Sequence, residues 1–526
     1  MTERILVPAV LLHVPYVRRA GAWPFGEHQL HRLVGEVLVP LLLLLRRASP
    51  GVRLSLAVSP VLVEQLADRE TLLGVGQAVR RRWEAFRDMP AGLPEEGRAA
   101  WHWQRDRAGA LEEAWFSALG QQPLVALAAL QNEGHVELLA TPATAAILPL
   151  APRPSAARLQ LLLARRVFDE RFGAAPEGLW SPGGAWATEA DRGWSLEEIA
   201  LEAGFGHVLC SARGWVDEAD GVGSREPFGP AEGPLGLRHL APPDSFMAAC
   251  LDPVTGFPGD GAYLGAREAM PSSVVSTEPL LARGAADGAE LGASLAPYVP
   301  ELAYSVAERH ATSALGLAGR LLDAAVARHG RKACLLLPVE ADRFLSWPEG
   351  LSWLEQVLRR APEAGLELGS SGEVAAWAPD RRLSAVLPSS WDRTGSLSPW
   401  QPANSGWYWQ QVGLVADHAE SLVTHRGGDG RPLMLRALAQ AQREALLLAS
   451  GEWPRMVGVG GASADYAAAR IRDHLDRFRR LADMVDAGTP DESLLERYEG
   501  LDNAFGSLDP TLLHGLPRLS ALQEDD

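Results

Sequence analysis

Gly178-Leu179-Trp180-Ser181-Pro182-Gly183-Gly184-Ala185-Trp186 is an apolar approach, a Pro-Gly-Gly turn and two indoles. An apolar strand running into a glycine-rich turn is the pattern with which α/β proteins place their chemistry, at the carboxyl edge of a parallel sheet. The turn itself holds no Asp, Glu, Cys, His or Lys that would serve as a strong nucleophile or base, and Ser181 has no activating partner beside it. A tight turn packed by two tryptophans accounts for these residues equally well.

Outward from this turn the chain alternates short apolar runs with longer amphipathic ones. Strands are expected at 5–12, 53–58, 136–140, 178–180, 207–210, 274–277 and 333–338, with helical period at 156–172, 196–203 and 311–329. Strand, helix, strand in this rhythm implies a parallel sheet, and this many units suggests a barrel. The reading is therefore an α/β fold, a barrel occupying 1–380. A helical insertion rich in Arg, Glu and Trp is expected at about 61–119. A Gly-, Pro- and Asp-dense excursion at about 212–260 reads as a lid over the barrel mouth. Past residue 380 the pattern changes. Residues 389–409 are loop-like with four tryptophans, and two strongly helical stretches follow within 381–487, read as a helical C-terminal domain. From 488 to 526 periodicity fades, and an irregular tail is expected.

Composition narrows the partners. The chain has 526 residues, 47% of them hydrophobic, and a net charge of −17. Phosphate-backbone binding needs clustered Lys and Arg, so nucleic acid is not expected as a partner. The apolar run at 37–45 is short and broken by Pro40, so it reads as a buried helix and no membrane is expected. Residues 1–17 carry Pro8, His13 and Pro15 and read as a first buried strand rather than a signal sequence. Cys210, Cys250 and Cys334 are far apart and match neither a disulfide framework nor a zinc motif, which suits a reducing cytoplasm. No metal is implied by ligand spacing, and the glycine runs at 74–76 and 458–461 lack nucleotide-loop spacing, so no cofactor is expected.

Several landmarks then fall in order. His13-Val14-Pro15-Tyr16-Val17-Arg18 precedes Trp23-Pro24-Phe25-Gly26-Glu27, and Gly134-His135-Val136-Glu137-Leu138 precedes Ala143-Thr144. Gly256-Phe257-Pro258-Gly259-Asp260-Gly261, Pro348-Glu349-Gly350, Ser389-Ser390-Trp391 and Glu452-Trp453-Pro454 follow. Together they resemble glycoside hydrolase family 57, in its branch of 1,4-α-glucan branching enzymes. The resemblance implies a distorted (β/α)7 TIM-like barrel with a helical insertion and a helical C-terminal domain that together build an α-glucan cleft. It also implies a retaining mechanism, in which one carboxylate attacks the anomeric carbon and a second works as acid and base, the two about 5 to 5.5 Å apart.

This chain departs from that pattern where the chemistry lies. The family's nucleophilic glutamate falls on Gly183, and its acid/base aspartate falls on Glu340, or on Val339 if counted back from Glu349-Gly350. Polar cleft groups of the family are replaced by Leu11, Ala145 and Ser346. The resemblance leaves His13, Trp23, Trp180, Asp260, Trp347, Trp391, Trp407 and Trp409 as candidate sugar contacts, since an indole offers a broad apolar face with a polar edge. Ordinary packing is the competing use of each tryptophan, turn geometry that of Asp260. A bound sugar is expected beside Trp407 or Trp409 and over Gly183.

Three functions follow. The first is a catalytically impaired homologue that binds α-glucan or malto-oligosaccharide and assists an active enzyme of glycogen metabolism. The second is an active enzyme in which Glu137 or Glu189 substitutes for the nucleophile and works with Glu340. The third is a non-binding scaffold.

Overall fold

The structure is a computed structural model that describes residues 4–510 apart from 22–24, 90–94, 190–193, 220, 223–225, 252–299, 347–349 and 393. Among the described residues twelve strands follow in chain order: β1 Arg4–Leu12, β2 Leu54–Val58, β3 Val136–Ala140, β4 Gly178–Trp180, β5 His207–Leu209, β6 Trp215–Asp217, β7 Gly221–Val222, β8 Ala231–Glu232, β9 Arg238–Leu240, β10 Ala333–Glu340, β11 Glu367–Leu368 and β12 Arg381–Val386. Seven of them, in the order β10-β1-β2-β3-β4-β5-β9, are hydrogen-bonded in parallel, as expected of the distorted (β/α)7 barrel. The antiparallel β8 follows β9, and β12 joins it to the β6–β7 hairpin.

Alternation along the strands sorts side chains between the barrel axis and the helix layer. Ile5, Val7, Ala9 and Leu11 of β1 share one buried cluster with Ala57, Leu139, Trp180, Leu209, Leu240 and Leu336, which fills the interior. Residues of the opposite parity, Leu6, Val10, Leu56, Leu138, Val208 and Leu335, join the larger core under the surrounding helices. A third core lies among the C-terminal helices Gly406–Arg426, Pro432–Leu448 and Gly461–Ala487, centred on Tyr408, Leu438, Trp453 and Phe478.

The helical insertion is present as Pro60–Ala67, Arg69–Arg87 and Glu95–Glu113, and continues to Pro123–Asn132. The apolar stretch at 37–45 is helical and buried as expected. It ends the segment Glu27–Arg46, which is long and apolar enough to cross a membrane, but Val34, Val37, Leu38, Leu41, Leu42 and Leu45 are buried in the core.

Three expectations need correction. The first half of the supposed lid is sheet, not cover: it supplies β6 to β9, and β9 is a barrel strand in its own right. Its remainder, like the expected strand 274–277, lies outside the described residues. Residues 381–386 are strand β12 rather than helix.

The C-terminal stretch is not irregular up to residue 510. Asp491 caps the helix Glu492–Leu501 by accepting from the Leu494 amide. The chain beyond is tied to the rest: Tyr16 donates to Asn503 Oδ1 at 2.8 Å, the Phe505 amide donates to Glu64 Oε2 at 2.8 Å, and Arg443 donates to the Ala504 and Phe505 carbonyls.

Candidate active site at the barrel mouth

The carboxyl ends of β1, β2, β4 and β10 bring His13, Ser59, the 181–184 turn and Glu340 to one mouth. Pro182-Gly183-Gly184 turns with φ of +60° at Gly183 and +65° at Gly184, a left-handed pair that suits glycine. Both ends of the turn are pinned. The Gly184 amide donates to the Ser181 carbonyl at 2.8 Å, and Ser181 Oγ donates to the Ala185 carbonyl. The Gly183 and Gly184 carbonyls accept from Trp391 N and Ser211 N at 3.1 and 3.0 Å. An antiparallel bridge between Trp186 and Ser389 staples the 389–400 segment to this turn.

Glu340, the last residue of β10, is half-buried and accepts the Gly183 amide at Oε1, 3.1 Å away. Val339 is buried in the outer core, so of the two possible registers Glu340 is the one that reaches the mouth. The turn it faces offers an N–H and no side chain. Space for one is missing too: a Cβ built on Gly183 would overlap Trp400 Cη2 and lie 2.6 Å from its Cζ2, and one on Gly184 would lie 2.5 Å from Trp391 Cδ2.

His13 Nδ1 is 2.8 Å from Ser59 Oγ, while Nε2 is buried without a hydrogen-bond partner. Burial holds its pKa below the usual histidine value, with Glu452 pulling upward and Arg455 downward, so the ring is neutral. Arg455 also stands over the Trp400 ring, 6.0 Å from its centroid.

The other candidates are scattered. Trp180 is fully buried inside the barrel, edge-on to the half-buried Trp391 with centroids 5.5 Å apart, and its indole N–H has no partner. Trp407 and Trp409 do not form one platform, because they flank the buried Tyr408 on a helix. Trp407 is 41% exposed, and Trp409 donates its indole N–H to the Trp400 carbonyl at 2.8 Å. The place expected for a sugar, over Gly183, is held by Trp400, which the sequence reading does not single out. Its signal is there, as the second of four tryptophans between 391 and 409. Trp23, Asp260 and Trp347 lie outside the described residues. Where the family has polar groups, Leu11 packs in the barrel interior and Ala145 is buried at a φ of +51°.

Neither proposed substitute carboxylate reaches Gly183. Glu189 is exposed, in a bridge with Ser195. Glu137 faces the barrel axis near the start of β3, at the opposite end, where it accepts from Ser55 Oγ at 2.9 Å, Ser371 Oγ at 2.7 Å and Gly372 N at 2.9 Å. Ser371 spends its proton on Glu137, so His207 Nε2, 3.0 Å away, is the donor to Ser371 Oγ. Burial keeps His207 neutral. Gly178 leaves room for that ring, since a Cβ there would lie 2.6 Å from His207 Nε2.

One acidic cluster is invisible in sequence. Glu444, His474 and Asp502, from three separate elements, are buried with their ligand-type atoms within 4.8 Å of one another. Burial raises Glu444 to about 7 and Asp502 to about 6, and lowers His474 to about 4. The Arg477 guanidinium bonds Asp502 and lies 3.8 Å from Glu444, so the counter-charge comes from the protein.

In class, a parallel barrel with a carboxylate and a belt of indoles at its C-terminal mouth is an enzyme scaffold. Residues 50–220 match the profile of glycosyl hydrolase family 57, and residues 415–512 match that of the C-terminal region of 1,4-alpha-glucan branching enzyme. The chain is 27% identical to a 1,4-alpha-glucan branching enzyme of Thermococcus kodakarensis over 94% of its own length and 76% of the relative's. It is 29% identical to a Mycobacterium tuberculosis protein described as "Probable 1,4-alpha-glucan branching enzyme", covering 94% and 95%. The GH57-type branching enzyme of Pyrococcus horikoshii superposes with a TM-score of 0.84 at 25% identity, covering 98% of both chains. The chain belongs to glycoside hydrolase family 57, in its branching-enzyme group.

Proposed function

We propose that this protein is a branching-enzyme homologue that recognises α-glucan without turning it over and assists an active enzyme of glycogen metabolism in the cytoplasm. The observation that carries the first half is Gly183. Double displacement requires a carboxylate that bonds the anomeric carbon, at about 5 to 5.5 Å from the acid/base group. The position facing Glu340 holds a glycine, whose backbone N–H takes up the Glu340 carboxylate instead. Loss of a covalent nucleophile removes the route itself, and what other groups still supply is orders of magnitude smaller. Glucan recognition rests on membership of the family and on Trp407, a tryptophan left in solvent.

The test is a pair of measurements on the full chain. Iodine staining and reducing-end analysis after long incubation with amylose are expected to show no branching or hydrolysis. Retardation in a native gel cast with glycogen is expected to show binding. Turnover comparable to an active family member would sink the first half, and unretarded migration would sink the second.

A second reading, a scaffold that binds no glucan, is favoured by the packing of Trp400 and Trp391 against the two glycines. Unretarded migration would select it.

A further inference from the structure

We infer that Trp400 is an intramolecular stopper that decides what the barrel mouth admits: its indole occupies the space over Gly183, so a free malto-oligosaccharide end is excluded. This inference rests on the family reading of the mouth, but not on glucan binding elsewhere on the surface.

Four observations converge on it. The six-membered edge of the Trp400 ring, Cη2 and Cζ2, fills the place where a Gly183 Cβ would stand, with Cζ2 only 2.6 Å from that point, so ring and turn are in direct contact. Trp400 is 4% exposed and packs with Ile147, Ala185 and Leu397 in a small cluster of its own. Its backbone is held by the Trp409 indole N–H and its ring by Arg455, from two different helices. At the same mouth, His13 Nε2 and Trp180 Nε1 are buried with no hydrogen-bond partner. Buried polar groups ordinarily find partners, and two orphans at one mouth mark groups whose hydroxylic partner is shut out.

The geometry makes glycine and stopper interdependent. A side chain at 183 needs a smaller residue at 400, so a nucleophile cannot be restored by one substitution. A sugar ring at this position meets the same obstacle. The protein's carbohydrate partner is therefore a polymer read along its flank, not a short chain end threaded into the barrel.

Trp400→Phe removes the far edge of the indole and keeps an aromatic ring. Titration calorimetry with maltotetraose is expected to show no binding to the wild-type mouth and a gain of at least tenfold in affinity in Trp400→Phe or Trp400→Gly. Unchanged affinity in a variant whose near-ultraviolet circular dichroism and melting are native would overturn the stopper. If both variants fold poorly, a double-mutant cycle between Gly183→Ala and Trp400→Phe decides by stability alone. Strong coupling is expected, with Gly183→Ala far better tolerated in the Trp400→Phe background than in the wild type, and additivity overturns the inference. Glycogen retardation of the wild type is read separately, so failure of the stopper and failure of glucan recognition are told apart.

Discussion

The two ends of the barrel are built from the same seven strands and treat polarity in opposite ways. At the amino end, Glu137, Ser55, His207 and Ser371 form a closed network sealed by the short helix Ser371–Ala375, with the carboxylate meeting three donors. At the carboxyl end, glycines meet indoles, Glu340 meets a backbone N–H, and His13 and Trp180 each keep a buried polar atom without a partner. The amino end of such barrels serves stability and the carboxyl end serves chemistry. The contrast teaches that the half of the barrel serving the fold is fully satisfied, while the half serving the reaction has been filled in.

The largest effect should come from breaking the satisfied end. Glu137→Ala strips acceptors from Ser55, Ser371 and the Gly372 amide at once, and buried donors without partners are costly, so a loss of about 3 kcal/mol is expected in urea unfolding. A loss below about 1 kcal/mol would erase the contrast. The next effect belongs to the mouth. Gly183→Glu must adopt a left-handed backbone and displace Trp400, at a cost of about 2 kcal/mol. It should restore no branching by iodine assay, since Leu11, Ala145 and Ser346 still stand where the family has polar groups. Robust turnover in this single variant would show that the site is far less altered than its packing indicates.

A smaller effect sharpens the comparison from outside the barrel. Glu444 binds its proton more tightly folded than unfolded, with a folded pKa of about 7. Its contribution is therefore fully present below pH 4.5 and lost as pH rises through 7. Glu444→Gln cannot lose a proton, so the variant should gain on the wild type by about 1 kcal/mol between about pH 5 and about pH 8. The lowered pKa of His474 works the other way between about 4 and 6.5 and largely cancels in the difference. Parallel stability curves would remove Glu444 from the account. Smallest of all, Trp407→Ala should change stability by less than about 0.5 kcal/mol, because the ring lies in solvent, yet weaken glycogen retardation.

How far the sequence can be read follows from what each element depends on. β1, β2, β3, β4 and β10 announce themselves through apolar runs broken by Gly or Pro, because burial on both faces forces that composition. β9 does not: Arg238-His239-Leu240 is three residues with one apolar side chain, and its identity as a strand comes from pairing with β5. The helix Glu492–Leu501 carries a local signal, Pro490 and Asp491 ahead of an amphipathic run, which the acidic end of the chain masks. Gly183 and Glu340 are legible through motif order. The role of Glu137 can be read from period two, since it shares the parity of Leu139 and sits at the strand's entry. Trp400 cannot be placed over Gly183 from sequence, because the two stand 217 positions apart and only the closed barrel brings them together.

The stretch from Asp491 to Phe505 has a consequence for how the molecule can be taken apart. Through Tyr16, Glu64 and Arg443 it sews the first strand's exit, the insertion and the helical cap with a single thread near the far end of the chain. A barrel made without that thread would face water with Tyr16 and Glu64 stripped of their partners, and a cap made alone would leave Arg443 pointing at nothing. The protein is thus one indivisible garment rather than two pieces buttoned together, and it should come undone in a single melt.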